Sequence, residues 1–258
     1  MPVIKHEVPI LEYDDDPVSV IMPDHESLGL RLPEKAVFAF LGDTVDRYAQ
    51  GHDAVIAAHF DSITKQYPIY IVREKGREVC LCQAPVGAAA AAQILDWLIG
   101  HGVKQVIAVG SCGVLAELPE NAFLVPARAL RDEGVSYHYL PPSRFVEVDR
   151  GVLRSMERTL RRLGLPYVEC TTWTTDGFFR ETRDKIGYRK AEGCAVVEME
   201  CAALAACARF RGVRFGQLLY TADSLAGVER YDERGWGKAS MERALLLALE
   251  LVSDLRPV

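Results

Sequence analysis

The 258-residue chain contains no run of 18 or more apolar residues, so no segment has the length to span a bilayer as a helix. It has no excess of basic charge: 30 Lys and Arg stand against 36 Asp and Glu, a formal net charge of −6. That balance argues against a nucleic-acid partner or a membrane surface, since both select a basic face. No CxxC pair occurs, and Cys80 and Cys82 alternate along one strand-like run, so no metal site is expected. The 7 cysteines are odd in number and lack the spacing of a disulfide framework, which fits a reducing compartment. The opening MPVIKHEVPILEYDDD lacks the apolar core of a signal peptide, and a cytoplasmic protein is expected. No repeat or low-complexity linker divides the chain, which favours a single domain.

What is present is ordinary for a soluble globular protein: 49% hydrophobic and 26% charged residues, on a chain long enough to bury a large core. Residues 1–33, with several prolines and an acidic run at 14–16, read as an extended N-terminal arm. Residues 34–258 read as one α/β domain. Short apolar runs at 35–42, 69–73, 79–87, 103–111, 122–130 and 213–223 end in Gly, Pro or polar residues and predict strands. Stretches 88–102, 149–164 and 237–255 predict helices. Strands apolar on both faces, separated by helices, imply a mostly parallel or mixed central sheet flanked by helices on both faces. Ligands of such sheets bind beyond the carboxyl ends of the strands. Five polar or Gly-rich breaks fall there: GD (42–43), GSCG (110–113), TTD (174–176), EME (198–200) and AD (222–223).

Each break has a bland reading beside a functional one. The small residues of GSCG let backbone N–H groups approach an anion or a flat ring, with the Ser111 hydroxyl as a further donor, and they equally suit a tight turn. Glu198 and Glu200 stand two apart in the apolar run VVEMECAALAAC. On a strand extended as far as Glu200 they point the same way, with Met199 opposite. Two acceptor-only carboxylates facing one pocket suit a sugar diol; ordinary salt bridges or an acidic first helical turn explain them as well. Asp223 is a candidate general acid or a helix cap. Phe178, on the loop after TTD, can stack on a planar base, while Trp173 within the preceding strand reads as core. Arg47 in GDTVDR can face an oxyanion after the Gly42 turn, or lie on the surface of a short helix.

In this order the segments resemble the nucleoside phosphorylase family that contains the uridine phosphorylases, the hexameric purine nucleoside phosphorylases and the methylthioadenosine nucleosidases. VEMECAALA (197–205) is the most specific likeness, and the resemblance runs from about Val37 onward. It implies that Glu200 holds the ribose hydroxyls, that Met199 packs on the sugar and that Glu198 adjoins the same site. It further implies that Cys112 and Gly113 meet the nucleoside, that Phe178 stacks on the base and that Asp223 protonates it. The aspartate leans the resemblance toward a purine base. Gly42, Arg47 and Ser111 take the phosphate role, with phosphate as co-substrate and no cofactor. A homo-oligomer, dimeric or hexameric, is implied too.

Departures from the family pattern concern phosphate. The arginine two residues before the glycine of the GSCG-type loop is Ala108 here, and the early GDPxR turn is GDTVDR, with Arg47 one residue late. Each charge-assisted bond to phosphate contributes about 1.5–3 kcal/mol. The expected function is phosphate-dependent cleavage of a purine or uridine-like nucleoside. The alternatives are hydrolysis by water and non-catalytic nucleoside binding.

Overall fold

A computed structural model describes residues 3–257; Met1 and Pro2 of the expected arm and Val258 of the expected domain lie outside the described residues. Before residue 35 the one regular element among the described residues is a 3-10 turn, Pro9–Leu11. The segment is nevertheless seated on the body: Arg211 donates to the Pro17 carbonyl, and the Trp97 indole donates to Glu26.

The first half of the chain runs β1 (Lys35–Ala39), α1 (Thr44–Gly51), β2 (Val55–Asp61), β3 (Gln66–Glu74), β4 (Arg77–Gln83), α2 (Ala88–Gly100) and β5 (Gln105–Val114). It continues with β6 (Phe123–Asp132), α3 (Ser136–Tyr139), β7 (Phe145–Glu147), α4 (Arg150–Arg162), β8 (Val168–Thr175) and α5 (Arg183–Ala191). β9 (Cys194–Glu198), α6 (Cys201–Phe210), β10 (Arg214–Ser224) and α7 (Met241–Ser253) complete it. All expected strands and helices appear. β2, β7 and α5 do not stand out in the sequence. β2 mixes exposed Val55 and Ile56 with buried Phe60, and β7 has only three residues, so neither shows a clean period.

The ten strands form one mixed sheet in the order β10-β6-β8-β9-β5-β1-β4-β3-β2, with β7 on β6. Because β5 also pairs with β10, the strands β5, β10, β6, β8 and β9 close into a ring, and the remaining strands extend from it. β1, β4, β5 and β10 run parallel to their neighbours in the centre, so their carboxyl ends open on one side. The core is continuous from α2 (Ile94, Leu95, Leu98) through β1 and β5 (Phe38, Ile107) to α7 (Leu249, Leu251). All seven cysteines are free and buried.

Local chemistry sets the helix starts. The five alanines of α2 follow Gly87, whose φ of +101° turns the chain from strand into helix at a conformation that other residues resist. At α4, the Asp149 carboxylate accepts from the Val152 N–H at 2.7 Å. Replacing Asp149 by Ala should therefore cost about 1 kcal/mol. That corresponds to a melting temperature lower by about 2–4 °C, which thermal unfolding followed by circular dichroism measures.

Candidate active site

A cavity of about 450 Å³ opens where β5, β9 and β10 end. It collects Ser111, Cys112, Gly113, Phe178, Glu198, Met199, Glu200 and Asp223, residues from four separate segments of the sequence. Gly42 and Arg47 are not among the residues lining it. The Arg47 guanidinium is paired with Asp43 and donates to the Thr44 hydroxyl at 3.2 Å, on a half-exposed face of α1.

The extended geometry expected through Glu200 is corrected: β9 ends at Glu198, and Glu200 has φ −137° and ψ −29° as the residue that begins α6. Strand alternation is therefore lost after Glu198, and Met199 joins both glutamates on the cavity wall instead of facing away. The cause is the Glu198 carboxylate. One oxygen accepts from the hydroxyls of Thr172 at 3.1 Å and Thr174 at 2.6 Å on β8. The other accepts from the backbone N–H of Glu200 at 2.8 Å and of Cys201 at 2.7 Å, which caps α6. Glu198 is thus bound from four sides. Glu200, equally buried, accepts the Gly87 N–H at 2.5 Å and leaves acceptor capacity facing the cavity.

Asp223 stands over Gly113. A Cβ on that glycine would lie 3.3 Å from the Asp223 carboxylate and 2.9 Å from Leu225, so the missing side chain makes the space Asp223 occupies. The Tyr231 hydroxyl and Arg234 face Asp223. Glu181, Trp236 and Gln217 are among the cavity residues that escaped the sequence reading. Glu181 follows the 3-10 turn that carries Phe178 and sits in a charged stretch, RETRD, which reads as an ordinary helix start. Trp236 belongs to an irregular loop and holds a left-handed φ of +57°, unusual for a bulky residue and a mark of functional sites. Its two glycine neighbours, Gly235 and Gly237, donate their N–H groups to Glu120, which fixes the loop. Gln217 pairs across the sheet with Ala108, the position where arginine was expected, and its buried side-chain oxygen has no partner. Beside Ala108 the sheet thus offers the cavity a neutral amide and no cation. Trp173 is fully buried and donates to Asp132, as expected of core.

Among the described residues, four carboxyls and no Lys, Arg or His line the cavity. Burial raises the pKa of all four. At Glu198 the four donors oppose the rise. Glu200 is pushed up to about 8 by burial and then by the Glu198 charge, and the Gly87 N–H only partly offsets this. Glu181 is raised to about 7 by burial and by the charge of Asp223. Asp223 is raised mainly by burial. Burial also lifts the Cys112 thiol well above its ordinary value, so it stays protonated and is no nucleophile.

A stability signature follows for Glu200. Unfolded, it loses its proton near 4.5; folded, it holds it to about 8, so folding stability falls as pH rises across that window. Glu200→Gln removes this dependence. Its melting temperature should exceed that of the wild type by an amount that grows from pH 5 to pH 8. An equal difference at both pH values would contradict the assignment. Glu198→Ala strands two buried backbone donors and two hydroxyls, each loss costing about 1–3 kcal/mol, and should melt far lower at every pH.

Residues 35–253 match the family model described as the phosphorylase superfamily. Among similar proteins, a guanosine phosphorylase of Halorubrum lacusprofundi is 24% identical over 198 residues, 74% of this chain and 82% of the relative. A DeoD-type purine nucleoside phosphorylase of Mycoplasma genitalium is 28% identical over 162 residues, 60% of this chain and 66% of that protein. The fold is that of a uridine phosphorylase from Vibrio fischeri, with a TM-score of 0.74, 22% identity and coverage of 86% of this chain and 92% of the other. An AMP nucleosidase from Bacteroides thetaiotaomicron is similar in fold, with a TM-score of 0.70, 24% identity and 86% and 88% coverage. With a family match over most of its length, the chain belongs to the phosphorylase superfamily.

Proposed function

We propose that this protein cleaves the N-glycosidic bond of a purine nucleoside and passes the pentosyl group to phosphate. The observation that carries this reading is the Glu200 carboxyl: buried, under-bonded, and facing the same cavity as Asp223 and Phe178. Such a group keeps acceptor sites for a ligand with paired hydroxyls. The ribose 2′- and 3′-hydroxyls donate to it, and Met199 packs against the sugar. Their donation favours the ionised form, so Glu200 gains its negative charge as the sugar develops oxocarbenium character. Cys112 and Gly113 meet the nucleoside, Phe178 stacks on the base, and Asp223 gives the departing base a proton, a role for which its raised pKa suits it.

Phosphate is oriented by Ser111, the Gly42 turn and Arg47 in this reading. Arg47 is half-exposed, and a surface pair such as Arg47–Asp43 is worth only about 0–1 kcal/mol, so little energy opposes its release toward an anion. The protons held by Glu200 and Glu181 keep the empty cavity well short of four negative charges. A second acceptor, water, is favoured by one observation: the described lining offers phosphate no cation. The free, buried thiols fit the cytoplasmic setting, and a homo-oligomer belongs to the same proposal.

Turnover of a nucleoside panel with and without phosphate tests the reading. Purine nucleosides should yield base and ribose 1-phosphate only when phosphate is present. Free ribose formed at the same rate in its absence would make water the acceptor, and tight binding with no turnover in either buffer would remove catalysis. Glu200→Ala should lower kcat/KM by about 100-fold or more, the scale of losing a group that acts on transition-state charge. Unchanged kcat/KM would remove its role.

A further inference from the structure

Glu181 is the cavity residue that neither the motifs nor the proposed roles use. Its backbone is pinned on both sides. The 3-10 turn Phe178–Arg180 precedes it, and Thr182 after it caps α5 by accepting the Lys185 N–H. Among the described residues its carboxyl has no hydrogen bond and no ion pair, although it lines the cavity. Lys185, the cation that faces it, is already held by Asp132 at 3.2 Å. Asp223 is close enough to act on it by charge, Tyr231 faces both carboxyls, and Arg234 faces Asp223 while donating to the Leu118 carbonyl. Phe178 and Trp236 line the same cavity.

Resting on the nucleoside-cleavage reading of this cavity, we propose that Glu181 and Asp223 form a carboxyl pair sharing one proton. The pair reads the edge of the base that carries N7 and the 6-substituent, and so selects 6-aminopurine over 6-oxopurine nucleosides. Two neighbouring carboxyls on one cavity wall, Asp223 buried and Glu181 partly buried, do not ionise together readily, and the proton belongs to the pair more than to either member. One shared proton makes the pair one donor and one acceptor. Adenine offers the complement on that edge, an N7 acceptor beside the N6–H donors, whereas guanine offers two acceptors, N7 and O6. A 6-oxo group would set a carbonyl oxygen against an ionised carboxylate, with neither satisfied.

The same proton serves the reaction. The C1′–N9 electron pair leaves with the base, N7 takes the pair's proton through Asp223, and an oxygen of hydrogen phosphate bonds to C1′. The proton carried by that phosphate then returns to the carboxylates, leaving neutral base and sugar phosphate.

The test compares kcat/KM for adenosine, inosine and guanosine in the wild type and in Glu181→Gln. The substitution keeps size and removes no observed hydrogen bond, so the variant should fold, with a melting temperature equal to the wild type's at low pH and no lower than it near pH 7. Wild type should favour adenosine by about 10-fold or more, the scale of one hydrogen bond to a charged group. An amide can donate to O6 or accept from N6–H, so in Glu181→Gln the preference should fall toward parity by about 10- to 100-fold. A wild-type preference for inosine or guanosine, or an unmoved ratio in the variant, would overturn the pair's role while leaving nucleoside cleavage intact. Failure of wild type to turn over any purine nucleoside would overturn the cleavage reading, and the pair's role with it.

Discussion

The Glu198 carboxylate joins three elements at one point: the threonines of β8, the last residue of β9 and the first turn of α6. An unpaired carboxylate this deep would cost several kcal/mol, and four donors offset part of that cost. The consequence falls on the neighbour. By ending the strand at Glu198 and starting the helix at Cys201, this cap turns Met199 and Glu200 together onto the cavity wall. Its charge also adds to the burial that keeps the Glu200 proton on. One glutamate is satisfied by the protein, and the other keeps acceptor capacity on the cavity wall.

The same division governs the whole cavity. Among the described residues its charged groups are all carboxyls: the Gly87 N–H donates to Glu200, and the missing side chain of Gly113 leaves room for Asp223. A site so built suits a neutral, hydroxyl-rich ligand with a flat ring, better than it suits a free anion. Phosphate is proposed to meet Ser111 on the cavity lining and Gly42 and Arg47 off it, which is why the acceptor and the nucleoside are separable questions. The ring closure between β5 and β10 matters here because it carries Asp223 beside the end of β5 that holds Ser111, Cys112 and Gly113.

The sequence made the α/β architecture legible through its apolar runs, and the residues around VEMECAALA through their resemblance to a family. It did not make the pairing of β5 with both β9 and β10 legible, because register between distant strands leaves no local period. Glu198 and Glu200 do face one cavity, through the turn after β9 and not through the strand alternation expected of them. Alternation gave no sign that Glu198 would cap α6, although an acidic first turn was one of the readings open. Glu181 was hidden in a run of charges that resembles a solvated helix start. Trp236 was hidden in an irregular loop whose fold depends on Glu120, over a hundred residues away. Ala108 was legible as a missing cation, but the Gln217 amide beside it on the cavity lining is visible only across the sheet.

The central claim is that Glu200 holds a proton in the empty cavity and releases it when a ribose diol takes its place as partner. Calorimetric titration of a purine ribonucleoside at pH 7, in buffers of different ionisation enthalpy, counts that proton directly. The account predicts net proton release on binding the ribonucleoside, and none from Glu200 when the matching 2′,3′-dideoxynucleoside binds. Equal proton counts for the two ligands would contradict it.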